Sequence, residues 1–347
     1  MPERHGTAVG EEPAARSRHS GTGNAMTHAP VPRVSIVTPA YNAAAFLEET
    51  AASVQAQTVQ DWEWIVVDDG SDDDTLAIAR RIAENDPRIR AIALGTNTGL
   101  PAAVRNRGLA EARGAFIALL DADDQWRPDK LARQIAELEA HPEADAVCTL
   151  YEPFGDPDRA RAAAALMNHE TSATVRREEM LRHCPWQTST LLMRRVCYEA
   201  LGGFDESPAL FCGDDYLYFA RLLHRFTVRR IPEPLVRYRV APVGVSVSSA
   251  TIERNRERGW HLYEAMLRDG VLNPEEARRK RSALYFEEAK DNLFHLGRPF
   301  RGALWRSVRE GGSTLEARAA LALCWLPAPA LRWTLKQGLA WKKRLGL

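Results

Sequence analysis

The chain has 347 residues, room for one large domain with an appendage, and its 46 Lys and Arg balance 46 Asp and Glu for a net charge of zero. That balance lacks the basic excess of a nucleic-acid partner, and no run approaches the ~20 apolar residues of a membrane span. Five scattered cysteines (Cys148, Cys184, Cys197, Cys212, Cys324), without CxxC spacing, suit reduced thiols in a cytoplasmic protein better than disulfides or a zinc site. Residues 1–32 mix Gly, Pro, Ser and charge with no apolar signal core, and are expected to form a disordered leader.

Order begins at "VSIVTPAYN" (34–42), a β-rich run stopping near Thr38-Pro39, followed by helical spacing of Phe46, Leu47, Thr50, Val54 and Gln57. "WEWIVVDDGS" (62–71) predicts a second buried strand ending in Asp68-Asp69-Gly70, and "DTLAIARRIAEN" (74–85) an amphipathic helix. "RIRAIAL" (88–94) and "AFIALL" (115–120) read as strands around the helix "PAAVRNRGLAEA" (101–112). "RPDKLARQIAELEAHP" (127–142) reads as a helix with Pro128 near its first turn, and "ADAVCTL" (144–150) as a fifth strand. Alternating strands and helices with short connections predict a mainly parallel sheet covered on both faces. Ligands bind such sheets beyond the carboxyl ends of the strands. Three polar clusters fall at those ends: Thr38–Asn42, Asp68–Ser71 and Asp121–Asp124.

Carboxylates gathered at one edge repel each other unless a cation lies between them. Two or three hard oxygen ligands with open positions suit Mg²⁺ or Mn²⁺, the shell being completed by substrate phosphates. The competing reading of Asp121–Asp124 is a polar turn with a capping aspartate. Pro128-Asp129, however, lies closer to the next helix start. Asp68-Asp69-Gly70-Ser71 is open to the same pair of readings, a turn with a cap or a nucleotide clamp accepting from a base N–H or ribose hydroxyls.

Taken together, "VSIVTPAYN", "WIVVDDGSDDDT", "NTGLPAAVRNRGLAEARGAFIALLDADD" and "GGFDES…GDDYLYFARLL" resemble the inverting, nucleotide-sugar-dependent glycosyltransferases of family 2, in the family's order from about Val34 to Tyr238. The resemblance implies a GT-A fold, a Rossmann-like α/β/α sandwich with a mixed, mainly parallel sheet over residues 33–245, and leaves 246–347 as a helical extension. It implies donor contacts from Pro39, Ala40, Tyr41, Asp68, Asp69 and Arg105. It assigns Asp121 and Asp123 to the donor's ribose-phosphate, with Asp123 and Asp124 holding Mg²⁺ or Mn²⁺.

In the second half, "WQTSTLLMRRVCYEALGGFDES" (186–207) reads as a strand, a short helix and a Gly202-Gly203 turn, and a further helix begins near Asp214 or Asp215. The two acids serve equally as an N-terminal cap with a favourable dipole interaction. By the resemblance, Asp215 takes the position of the general base, and Asp214 stands where the family usually has Glu. One carboxylate suffices, because the acceptor hydroxyl loses its proton as it attacks the anomeric carbon opposite the departing diphosphate. Trp186, expected beside the base on the acceptor side, and Trp260 are open to sugar stacking or to packing. Cys212, His183 and His224 lack ligand spacing and are expected to pack or face solvent.

From Ile252 onward charges of both signs surround apolar positions, as on surface helices. At the end, "LRWTLKQGLAWKKRLGL" (331–347) places Leu331, Leu335, Leu339, Trp341 and Leu345 on one side and Arg332, Lys336, Lys343 and Arg344 on the other. Peripheral contact with an anionic membrane face and packing on the protein's own domain are both consistent with that pattern. The expected activity is transfer of a sugar from a nucleotide-diphosphate sugar, a UDP-sugar foremost, to a carbohydrate or lipid-linked acceptor in surface polysaccharide or glycolipid synthesis. Two rival readings are a sugar nucleotidyltransferase, which usually shows a Gly-rich, Arg-containing loop where this chain has "TPAYNAAAF", and a non-catalytic nucleotide-sugar-binding protein, which would lack a usable base. A processive synthase would carry Q-x-x-R-W and membrane spans, so transfer of single residues is favoured.

Overall fold

Val34–Ala40 (β1) and Trp62–Asp68 (β2) are buried along nearly their whole length, as continuous apolar strands covered on both faces must be. In the computed structural model, described for residues 31–166, 171–182, 184, 186–211, 213–240, 252–291, 301–310 and 329, both lie in one sheet. β1 pairs in parallel with β2 and with Phe116–Leu119 (β4), and β2 with Ile89–Ala93 (β3). Alternate residues serve opposite cores. Val37, Ile65, Val67, Ile117 and Leu119 enter one cluster, while Ile36, Trp64, Val66, Phe116 and Ala118 enter the other. Leu47–Gln55 (α1) and Lys130–Ala140 (α4) cover the second face; Thr75–Asn85 (α2) adds Ala79 there. Pro101–Glu111 (α3) covers the first. α4 starts at Lys130, so Pro128 precedes the helix instead of lying in its first turn.

The expected mixed, mainly parallel sheet is observed, in a strand order that the sequence did not carry. Gln125–Trp126 (β5), Ala146–Gly155 (β6), Leu192–Arg194 (β7) and Val228–Val240 (β8) complete a sheet ordered β3-β2-β1-β4-β7-β6-β8-β5. β6 does not join β4. The chain leaves β6 through Pro157–Leu166 (α5) and Arg177–Arg182 (α6), and β7 then enters antiparallel between β4 and β6. β8 pairs in parallel with β6 and antiparallel with β5, so the sheet is mixed as expected. Pairing order depends on which long-range partner buries a short strand, and a three-residue segment such as β7 carries no signal for it.

Arg195–Leu201 (α7) and Asp214–Arg225 (α8) pack on the first face. Ile252–Arg268 (α9) and Pro274–Asp291 (α10) extend that cluster through Ala265, Met266 and Ala277, with Val271 and Leu272 between them. Arg177 pairs with Glu276 at 2.7 Å. α9 and α10 therefore share the core of the α/β half, and the described residues from Pro32 onward form one compact unit. Arg301–Arg309 (α11) packs on α10 through Ser282 and Ser307. The leader up to residue 30 and the basic segment 331–347 lie outside the described residues. No described helix is long and apolar enough to cross a membrane.

Gly108 sets how closely α3 approaches the end of β1. A Cβ there would meet Val37 Cγ1 at 2.5 Å and Val67 Cγ2 at 3.2 Å, both on fully buried, β-branched side chains. Gly108→Ala gains about 1 kcal/mol of helix propensity but overpacks a stiff contact costing about 1–3 kcal/mol. The expected net effect is a destabilisation of up to about 2 kcal/mol, readable as a lower urea midpoint at unchanged slope; a raised midpoint rejects the close approach.

Candidate active site

Strand pairing sets Ala40 level with Asp68, and Val37 level with Leu119, so the loops after β1, β2 and β4 emerge side by side. Pro39 and Ala40 end β1, and Tyr41 stands 45% exposed just beyond. Asn42 adopts a left-handed conformation (φ 49°), one Asn tolerates. Its side-chain oxygen accepts the Asp72 amide at 2.9 Å and its own amide donates to Ser71 Oγ at 3.0 Å, which staples the first loop to the second.

Asp68 is buried and ties its own turn, accepting from the Gly70 and Ser71 amides at 3.1 and 3.2 Å and from the Ser71 hydroxyl at 2.5 Å. Asp69 is also buried and clasps the loop before α3, accepting from the Thr98 amide at 2.9 Å and its hydroxyl at 3.1 Å. A carboxylate offers about four acceptor sites, so both can still take a further donor. The turn reading and the clamp reading are thus compatible.

The Asp121–Asp124 turn leaves no backbone carbonyl without a donor. Asp121 O accepts the Asp124 amide at 3.2 Å, Thr50 Oγ1 donates to Ala122 O and Asp124 O at 2.9 Å each, and Arg239 Nε donates to Asp123 O at 2.9 Å. Asp124, expected beside Asp123 as a metal ligand, instead points inward. It is 1% exposed, with Ser189 Oγ donating to one carboxylate oxygen at 2.5 Å and the Arg239 amide to the other at 2.8 Å. Asp123 has no side-chain donor among the described residues. Burial first, and the neighbouring Asp121 charge second, push its carboxyl up to about 6.

Arg105 joins this turn to α8. The guanidinium donates to Asp121 at 3.0 Å and to Asp214 at 3.1 Å, beneath the Phe204 ring. Burial works against its charge, but the carboxylates of Asp121, Asp214 and Asp215 hold it cationic. Asp214 is 4% exposed, and burial pushes its carboxyl up to about 6 although Arg105 opposes the shift. One cation shared by several acids stays charged while the most buried acid bears the desolvation cost. Asp215 is half-exposed, and its only described partner is the Tyr216 amide at 2.7 Å. Trp186, by contrast, is 2% exposed and packs on Phe219 at 5.2 Å, so it offers no open face for a sugar. Trp260 packs edge-on against Tyr285 at 4.7 Å.

From β1 through α7, residues 35–201 match the model of the family described as Glycosyl transferase family 2. That segment of the chain belongs to the family. The chain is 31% identical over 243 residues to the O-antigen biosynthesis protein RfbC of Myxococcus xanthus, covering 69% of this chain and 18% of that protein. It is 30% identical over 217 residues to the uncharacterized glycosyltransferase EpsJ of Bacillus subtilis (61% and 62% covered). The succinoglycan biosynthesis protein ExoO of Rhizobium meliloti is 46% identical over 110 residues (32% and 31% covered). The chain thus spans less than two thirds of the length of each. Its fold matches the GT-A structure of S. aureus TarS 1-349, solved in complex with UDP, at a TM-score of 0.58 with 19% identity, covering 91% of this chain and 92% of that one.

The family match ends before Asp214 and Asp215, and Arg105 is what ties Asp214 to the Asp121–Asp124 turn. Sequence reading also passed over Thr98, Ser189 and Arg239. Thr98 lies in the quoted "NTGL" and Arg239 follows "VRY" at the end of β8, where a basic residue at a strand end was a usable signal. Arg239 is held over Phe46 at 4.6 Å and Phe154 at 4.4 Å and donates to Glu49 at 2.6 Å. Ser189 gave no signal, since a Ser within "QTST" is indistinguishable from any turn serine.

Proposed function

We propose that this glycosyltransferase moves a sugar from a nucleoside-diphosphate sugar, a UDP-sugar foremost, to an acceptor hydroxyl with inversion at the anomeric carbon, in the assembly of a bacterial surface polysaccharide or glycolipid. The observation that carries the reading is the Asp121–Arg105–Asp214 bridge, which fixes the open carboxylate of Asp215 next to the acidic turn. Burial pushes the Asp214 carboxyl up, but that side chain is enclosed and paired with Arg105; Asp215 is half-exposed, which supports it as the group an acceptor reaches. Asp215 takes the acceptor proton as the new C–O bond forms and the bond from the anomeric carbon to the diphosphate oxygen breaks. One displacement inverts the centre and releases the nucleoside diphosphate. The names of RfbC and ExoO, O-antigen and succinoglycan biosynthesis proteins, support the polysaccharide setting.

The residues present fit a divalent cation. Asp123 has no side-chain hydrogen-bond donor among the described residues, and burial and the Asp121 charge hold its carboxyl up to about 6 although Arg239 opposes the shift. Among the described residues no group of three or more His, Cys, Asp or Glu side chains could hold a metal ion, so an ion bound here would take most of its ligands from the donor's phosphates and water. Asp123 would hold Mg²⁺ or Mn²⁺, with Asp121 on the ribose-phosphate and Asp124 bracing the turn from inside. When bound, the ion offsets charge on the leaving diphosphate. Pro39, Ala40, Tyr41, Asp68 and Asp69 line the nucleoside end in this reading.

A screen of nucleotide sugars, reading release of the nucleoside diphosphate, tests the activity; no release with any donor and a panel of surface-glycan acceptors rejects it. Calorimetry tests the metal. Chelation, or Asp123→Ala, should weaken UDP binding at least ~10-fold, about 1.4 kcal/mol. Equal affinity with and without the ion removes it from the site.

A further inference from the structure

We infer that Ser189 is a positioning residue for the donor site, setting the Asp121–Asp124 turn through a single buried hydroxyl. The inference rests on the reading of that turn as the diphosphate and metal end of the site. Ser189 is fully buried in the 3₁₀ turn Thr188–Thr190, 68 residues beyond Asp121 in the chain. Its Oγ accepts the Asp121 amide at 3.0 Å and donates to the Asp124 carboxylate at 2.5 Å, so one atom spans both ends of the acidic turn. The directions are consistent: the oxygen takes the amide proton and passes its own to the acid.

The turn that carries Ser189 is itself immobilised. Trp126 Nε1 donates to Ser189 O at 2.9 Å, and Gln134 Nε2 donates to Thr190 O at 2.8 Å. Gln134 is in turn held by Lys130, fully buried over the Trp126 ring at 4.0 Å. A rigid support behind one hydroxyl gives that hydroxyl a defined position, which is what a turn presenting a ligand requires. The effect reaches the start of α8. Asp121, pinned by its amide to Ser189, uses its carboxylate to hold Arg105, and Arg105 holds Asp214 at the start of α8. Asp123 lies between the two residues that Ser189 bonds, so its carboxylate keeps its placement only while both ends stay fixed.

The test uses UDP with Mn²⁺ and the full chain. Removing a group that orients a ligand typically costs ~10–100-fold in metal affinity or activity. Ser189→Ala should therefore weaken UDP binding in Mn²⁺ by ~10–100-fold, leave the weaker binding in chelator unchanged, and speed amide exchange across residues 121–124 in the free protein. Thr190→Val is the control. It removes a hydrogen bond from the same turn, Thr190 Oγ1 to Gln187 O at 2.7 Å, that does not reach the acidic residues, and should change neither reading. Unchanged exchange and unchanged UDP affinity in Ser189→Ala overturn the assignment, as do equal losses in Thr190→Val. If the wild-type protein binds no UDP with Mn²⁺, the donor reading fails, while the exchange measurement still decides the role of Ser189.

Discussion

Asp215→Asn is expected to lower kcat by ~10²–10⁴ while leaving UDP affinity and the thermal midpoint at wild-type values. The substitution keeps the shape of the side chain, and the amide oxygen can still accept the Tyr216 N–H that the carboxylate accepts now. What it loses is the ability to take a proton from the acceptor hydroxyl. Asp214→Asn is the informative partner. Asp214 contacts Arg105 and is buried, so its loss should act on stability and on the placement of α8, with a smaller fall in kcat. A near-normal kcat in Asp215→Asn would falsify the base assignment. An unfolded variant would instead show that the two acids serve chiefly as the helix start.

Arg105→Met should be the most destabilising single change at the site, by about 3–5 kcal/mol, because removing one partner leaves buried charge uncompensated. Asp121 and Asp214 both lose their cation, and the Met side chain restores only volume. The loss depends on pH, and the sign follows from Asp214. Its folded-state carboxyl is already raised to about 6, and without Arg105 it rises further. Such a group contributes stability below its unfolded value near 3.8 and loses that contribution as pH rises through the folded value. The variant can shelter Asp214 as a neutral acid at low pH but not at high pH. The gap between wild type and Arg105→Met should therefore be smaller at pH 5 than at pH 8. Adding Asp214→Asn to the variant should recover part of the gap at pH 8. Urea unfolding of the set at both pH values reads all of this, and a gap independent of pH rules out Asp214 as the group left exposed to the loss.

Much of the fold was legible before any coordinates, because local rules govern it. Strands buried on both faces must be continuous apolar runs, and "VSIVTPA" and "WEWIVVD" are such runs. Polar residues at their ends had to be either turns or a binding edge, and Asp68 and Asp69 show that the choice was false: each ties a loop and keeps acceptor capacity. The start of α8 at Asp214 and the break at Gly202 (φ 73°) were readable from acids at a helix start and from glycine's tolerance of positive φ.

The rest was decided between residues far apart in the chain. Asp123 and Asp124 are chemically alike and adjacent in sequence, yet one is left without a described side-chain donor and the other is enclosed by Ser189 and Arg239, 65 and 115 residues away. Arg105 was expected to touch the donor, but its contacts in the fold are Asp121, near in sequence, and Asp214, 109 residues on. Trp186 carried an aromatic signal suited equally to stacking or packing, and Phe219 took it into the core. Periodicity and turn chemistry act over a few residues, so the strands and the acidic clusters at their ends could be read from local sequence. Which carboxylate is enclosed, which braces the turn and which is held by arginine was set by the packing of distant elements, because that packing fixes each side chain's hydrogen-bond partners.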